Sequence, residues 1–115
     1  MEHASESLKA AEAECAEGRT APRVSLADIE NNIAEIHYVL GMQAVGAAAS
    51  QFSSLDTFTL CLVVTHSGFV IVGKSAPASV DNFDPVLGRK LAYGDAVRQL
   101  WPLMGFALRE RLNAK

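Results

Sequence analysis

The residues best placed to do chemistry are Asn82-Phe83-Asp84-Pro85, with Arg89 and Lys90 one turn further along. An aspartate followed by proline is a helix-start signal. The carboxylate accepts from free amides of the first turn, and proline is preorganised for the first helical position. The remaining free amides and the helix dipole favour an anion, which two nearby cations reinforce. Asn82 offers an amide and Phe83 a ring face, so the segment is a candidate phosphate-holding site. Any capped helix start beside solvated cations would carry the same residues.

Other constellations are weaker. Asp81 and Asp84 flank Asn82-Phe83 as paired carboxylates for acid–base work or a hard cation might be arranged. A cap at Asp84 and a loop-shaping role for Asp81 explain them better, so no metal is expected. His3, His37 and His66 fall at unrelated positions, and none is expected to be catalytic. Cys15 lies in a polar segment and Cys61 in an apolar strand pattern, without CxxC or zinc-ligand spacing, so reduced thiols are expected. Trp101 and Phe106 read as core or interface anchors, with stacking on a base as the alternative. There is no G-x-S-x-G, phosphate-binding glycine loop or dinucleotide fingerprint. The chain is therefore expected to be non-enzymatic and to use no cofactor.

The charge is unevenly placed. Residues 24–73 contain no Lys or Arg against Asp28, Glu30, Glu35 and Asp56, about −4 by counting. From Lys74 onward seven cations face four carboxylates, about +3, so an anionic ligand should meet the last block. This density is too low for a duplex-DNA binder. No apolar run approaches the roughly 18 residues of a membrane span, and Met1-Glu2-His3 opens no signal peptide. A soluble protein of the cytoplasm, that of a host cell, is expected.

With 115 residues, half of them hydrophobic, the sequence allows one modest packed core. Residues 1–23, Ala/Glu-rich without a sustained apolar face, are expected to form a flexible arm before a single α+β domain over 24–115. Ser25-Leu26-Ala27-Asp28 has capping-box spacing and predicts a short helix over 26–34. Ile36, Tyr38 and Leu40, alternating with His37 and Val39, predict a strand ended by Gly41. Residues 41–55 read as an extended connection, whose Ala run could form a helical turn.

Alternation over 57–65 and a Ser67-Gly68 turn predict a hairpin pairing Val64 with Ile71 and Thr65 with Val70. Phe58, Leu60, Leu62, Val64 and Ile71 would then face a covering helix. The other face, with Val63, Val70 and Val72, is too apolar for full exposure and suggests a homo-oligomer. The final helix, from Pro85 to about Leu112, is expected to bury Leu87, Leu91, Val97, Leu100, Met104 and Leu108, with a kink or break near Trp101 caused by Pro102. The fold class is thus α+β, a three-stranded antiparallel sheet with a short N-terminal helix and a long C-terminal one.

The ordered series Ile36-His37-Tyr38, Thr59-Leu60-Cys61, Ser67-Gly68-Phe69, Gly73, Asn82-Phe83-Asp84, Leu87-Gly88-Arg89, Ala92, Ala96, Leu100-Trp101 and Gly105-Phe106 resembles the gene forty-nine/gene sixty-six family of small tailed-phage proteins over residues 25–112. More loosely, the chain resembles the first Thoeris anti-defence family, oligomeric phage proteins that sequester cyclic nucleotide immune signals without cleaving them. That resemblance implies a sponge with Asn82, Arg89, Arg98 and Arg109 as candidate ligand contacts, beside the Phe83 ring. The long Gly41–Asp56 connection and Ala76-Pro77-Ala78 depart from the usual pattern and would reshape a pocket. The alternative is a host-takeover or anti-defence factor that binds a host protein through an apolar surface. A nucleotide hydrolase is disfavoured.

Overall fold

The computed structural model describes residues 5–18, 21–46 and 51–114. Helix α1 spans Glu6–Ala16 and α2 spans Leu26–Asn31, followed by strand β1 over Ile33–Leu40 and the short helix α3 over Gly41–Val45. A 3-10 turn over Ser53–Thr57 leads into β2 (Thr59–Thr65) and β3 (Val70–Ser75). A second such turn, Val80–Asn82, precedes α4, Pro85–Leu112. The sheet is antiparallel with order β1-β2-β3, so the architecture is α+β.

Local chemistry starts α2 and α4 as the sequence implies. Ser25 Oγ accepts from Asp28 N at 3.0 Å while Asp28 Oδ2 accepts from Ser25 N at 2.9 Å, a complete capping box. Asp84 Oδ1 accepts from Val86 N at 3.0 Å and Leu87 N at 3.4 Å, with Pro85 opening α4. The predicted 26–34 helix stops at Asn31, because Ile33 already belongs to β1. The expected 41–55 connection begins with α3, and its residues 47–50 lie outside those described.

The hairpin differs from expectation by one residue. Thr65 N donates to Phe69 O at 2.9 Å and Gly68 N to Thr65 O at 2.9 Å, closing a three-residue loop, His66-Ser67-Gly68. Gly68 takes φ +88, the left-handed conformation such loops require at their last position. Val64 therefore pairs with Val70 and Val63 with Ile71. A one-residue slip exchanges the faces of β3 relative to β2.

On β2 the buried face is the one expected to be open, whereas on β3 Ile71 is buried and Val70 and Val72 lie outside, as expected. Thr59, Cys61, Val63, Thr65 and Ile71 lie under α4, while Val70 and Val72 are exposed and Leu60, Leu62 and Val64 half-buried on the outer face. The reason is a close approach of backbones. A Cβ on Gly73 would collide with the carbonyl oxygen of Ala92 and lie 2.7 Å from Ala96 N. The helix is seated by small residues, so its buried stripe is Gly88, Ala92, Tyr93, Gly94, Ala96, Val97 and Leu100. Leu87 and Leu91, expected inside, are exposed. No break occurs at Trp101; α4 continues through Pro102. Trp101 Nε1 donates to Val24 O at 3.1 Å, fastening the helix to the segment before α2.

The stretch expected to be a flexible arm contains α1, attached without an apolar stripe. Leu8 is buried with the core against Gly94 of α4, and Arg98 Nη2 donates to Ser7 Oγ at 3.0 Å. Glu12 accepts from Arg23 Nη2 at 2.6 Å and from Leu26 N at 2.9 Å. One leucine and a few polar contacts give a composition-based reading little to find.

The β3 edge of the sheet is covered by α4. Along β3, Lys74 N donates to Asp95 Oδ2 at 2.9 Å and Gln99 Nε2 donates to Val72 O at 2.8 Å, so α4 caps the outward backbone groups. Among the described residues no helix is long and apolar enough to cross a membrane.

Two outcomes follow from these contacts. Gly73→Ala forces the helix off the sheet and is expected to cost at least the 1–3 kcal/mol typical of overpacking (about 2 kcal/mol), read by chemical denaturation. The hydrogen bond from Arg23 holds Glu12 below the usual glutamate range, so its contribution is present above that range and lost as pH falls through the lowered value. Hydrogen exchange should show α1 amides losing protection in acid before those of β2, and Glu12→Gln should remove most of that difference.

Candidate ligand site at the start of the long helix

The inward residues at the end of β1 and the start of β2 meet the first turns of α4. Tyr38 pairs with Cys61 and Leu40 with Thr59, so these four sit on the helix-facing side. Above them lie Phe83, Pro85 and Arg89, and α3 adds Gln43. The result is a cavity of about 230 Å³ lined by Tyr38, Leu40, Gln43, Thr59, Phe83 and Arg89 among others. A second cavity of about 120 Å³, lined by Asn82, Phe83, Asp84, Leu87 and Gly88, shares Phe83 with the first.

Glycine at 88 makes this arrangement possible. A Cβ there would stand 2.9 Å from Thr59 Oγ1 and 3.3 Å from Phe83 Cε1, so a side chain would push on both. Thr59 is 2% exposed, and its hydroxyl has no hydrogen-bond partner among the described residues. A buried hydroxyl left in this state costs free energy, which makes Thr59 a candidate ligand contact. Gln43 is committed in part, its Oε1 accepting from Leu40 N at 2.7 Å.

Tyr38, which lines the cavity, and its cross-strand partner Cys61, which is buried and does not, stay neutral. Burial pushes the Cys61 thiol up to about 11, against the opposing effect of a hydrogen bond from the Tyr38 hydroxyl. Burial, then the neighbouring Cys61, raises the Tyr38 phenol above its ordinary range, while the Arg89 guanidinium opposes the shift. Neither supplies a nucleophile or base near neutral pH. Arg89 itself is exposed and makes no ion pair among the described residues, so its charge is available at the rim. Those residues contain no cluster of three His, Cys, Asp or Glu that could hold a metal.

The five candidate contacts do not converge. Phe83 and Arg89 line the larger cavity, and Asn82 lines the smaller one. Arg98 is bonded to Ser7 on α1. Arg109 lies twenty residues beyond Arg89 on one helix, about 30 Å at 1.5 Å per residue. Sequence reasoning missed Tyr38, Leu40, Gln43 and Thr59; expecting the larger Leu60 and Leu62 on the buried side of β2 puts Thr59 on the wrong face. The glycines at 73 and 88, facing elements that need close approach, were the available signal.

The family model described as Phage protein (N4 Gp49/phage Sf6 gene 66) family matches residues 24–112. No curated protein and no solved structure matches the chain.

The orphaned hydroxyl generates a stability test. Thr59→Val keeps the shape while removing the unsatisfied group, so the variant is expected to gain about 1 kcal/mol in urea unfolding. A loss of similar size would mean that the hydroxyl is satisfied and is not a candidate contact.

Proposed function

The chain belongs to this phage protein family, and from that premise we propose that it binds a small phosphate-bearing nucleotide without cleaving it, as a sponge for a cyclic nucleotide immune signal. The observation that carries the reading is the unpaired Arg89 at the mouth of a cavity floored by the buried Thr59 hydroxyl and walled by Phe83. Arg89 supplies charge-assisted donors to a phosphate oxygen. The ring offers a stacking surface for a base. Thr59 can donate or accept at the deepest point. The neutral Tyr38 and Cys61 provide no hydrolytic machinery, in keeping with retention of an intact ligand.

Size restricts what enters. A cavity of about 230 Å³ is below the 300–1,000 Å³ usual for a drug-sized ligand. It suits one phosphate with part of its nucleoside, leaving the rest of a cyclic nucleotide over Asn82 or in solvent.

The test is to mix the protein with a panel of cyclic nucleotides, separate the bound fraction, denature it and analyse what is released. Intact recovery supports sequestration. Altered product would establish catalysis instead, and absence of depletion would turn attention to a host-protein partner. In calorimetric titration, Arg89→Ala should weaken binding about tenfold or more, the loss expected from a charge-assisted bond of about 1.5–3 kcal/mol. Arg109→Ala, remote along the helix, should leave affinity within about twofold on this reading.

A further inference from the structure

The outer face of the sheet has a self-complementary pattern. Three cross-strand rows run over it: Val39, Leu60 and Lys74; His37, Leu62 and Val72; Glu35, Val64 and Val70. An antiparallel sheet that faces water normally presents polar side chains there, whereas six of these nine are aliphatic. Val70 and Val72 are 53% and 45% exposed. Lys74 occupies one corner and Glu35 the diagonally opposite corner. Lys74 has no ion-pair partner among the described residues, and Glu35 is bonded only to its neighbour His37, at 3.0 Å on the same face.

We propose that this face is covered by a second copy of the chain, stacked face to face about a two-fold axis through Leu62. The diagonal charges choose both the occupant and its orientation. A two-fold axis in the plane between the sheets, perpendicular to the line joining the two corners, places each Lys74 over the partner's corner carboxylate. It stacks the central leucines on one another. Given strand and residue spacings, the same operation crosses the strands near a right angle, one of the two usual ways in which sheets pack. Other simple choices set Lys74 over an aliphatic residue or over its own counterpart. The capped β3 edge directs association to the face, because α4 already fills hydrogen-bonding positions that edge pairing from that side would use. A patch nine residues in size belongs to the small, weak end of the interface range. The inference does not depend on the ligand reading.

The experiment uses the full chain and charge reversals at the two exposed corners. Sedimentation at about 10–100 µM, the range suited to a small interface, should give a dimer for the wild type. Lys74→Glu alone should sediment as a monomer, since it places two like-charge pairs across the axis. Glu35→Lys alone should do the same. An equimolar mixture of the two variants should recover the dimer, because every cross-pair is again opposite in sign, and the double variant should recover it unaided. Circular dichroism melts verify that the single variants remain folded. A monomeric wild type overturns the proposal. So does a dimer indifferent to both reversals, or a mixture that stays monomeric; a monomer that instead captures a host protein on this face would assign the surface to that partner.

Discussion

The fold depends on how closely α4 lies against β3. At Gly73 the helix backbone occupies space that any side chain would need, and Gly88, Ala92 and Ala96 continue that contact as a ridge of small residues at intervals of four. A helix seated this low leaves room beneath it for Thr59, Cys61, Val63 and Thr65 but not for a layer of leucines. Larger groups are moved to the flanks, where Tyr93, Val97 and Leu100 close the core with Ile29 and Leu8. The same ridge shapes the ligand cavity, since the missing side chain at 88 is what lets the helix start stand over Thr59.

This constraint explains what was legible in the sequence. Caps and element order were readable because their signals are local: Ser25 and Asp28 bond each other, and Asp84-Pro85 starts α4. Face assignment was not. Reasoning that large apolar residues go inside selects Leu60, Leu62, Leu87 and Leu91, all of which the structure leaves at least partly exposed. Val97 and Leu100 of α4 are buried as that reasoning expects. But β2 and the first turns of α4 bury their smaller residues instead, a choice that only the joint geometry of helix and sheet reveals. The hairpin register turned on whether Gly68 ends a two- or three-residue loop, a difference of one residue with consequences for an entire face.

The candidate site shows the same division. Phe83 and Arg89 could be found because a helix start advertises itself. Thr59, Tyr38 and Gln43 come from three other elements and converge only after the strands are paired correctly. Charge counting located the basic half of the chain but could not tell Arg89 from Arg98 or Arg109. A long helix separates these residues along its axis, so a cluster in sequence is not a cluster in space.

The helix caps on β3 have a consequence for the behaviour of the molecule in bulk. Val70-Ile71-Val72 is a β-branched run at the border of a sheet, the kind of segment that recruits further strands and seeds fibrils. Gln99 occupies the outward carbonyl of Val72 and Asp95 the outward amide of Lys74, two residues further along the same edge. Growth by strand addition is therefore obstructed on that side before a neighbour arrives. Face stacking about a two-fold axis, as proposed above, would close on itself, whereas strand addition does not.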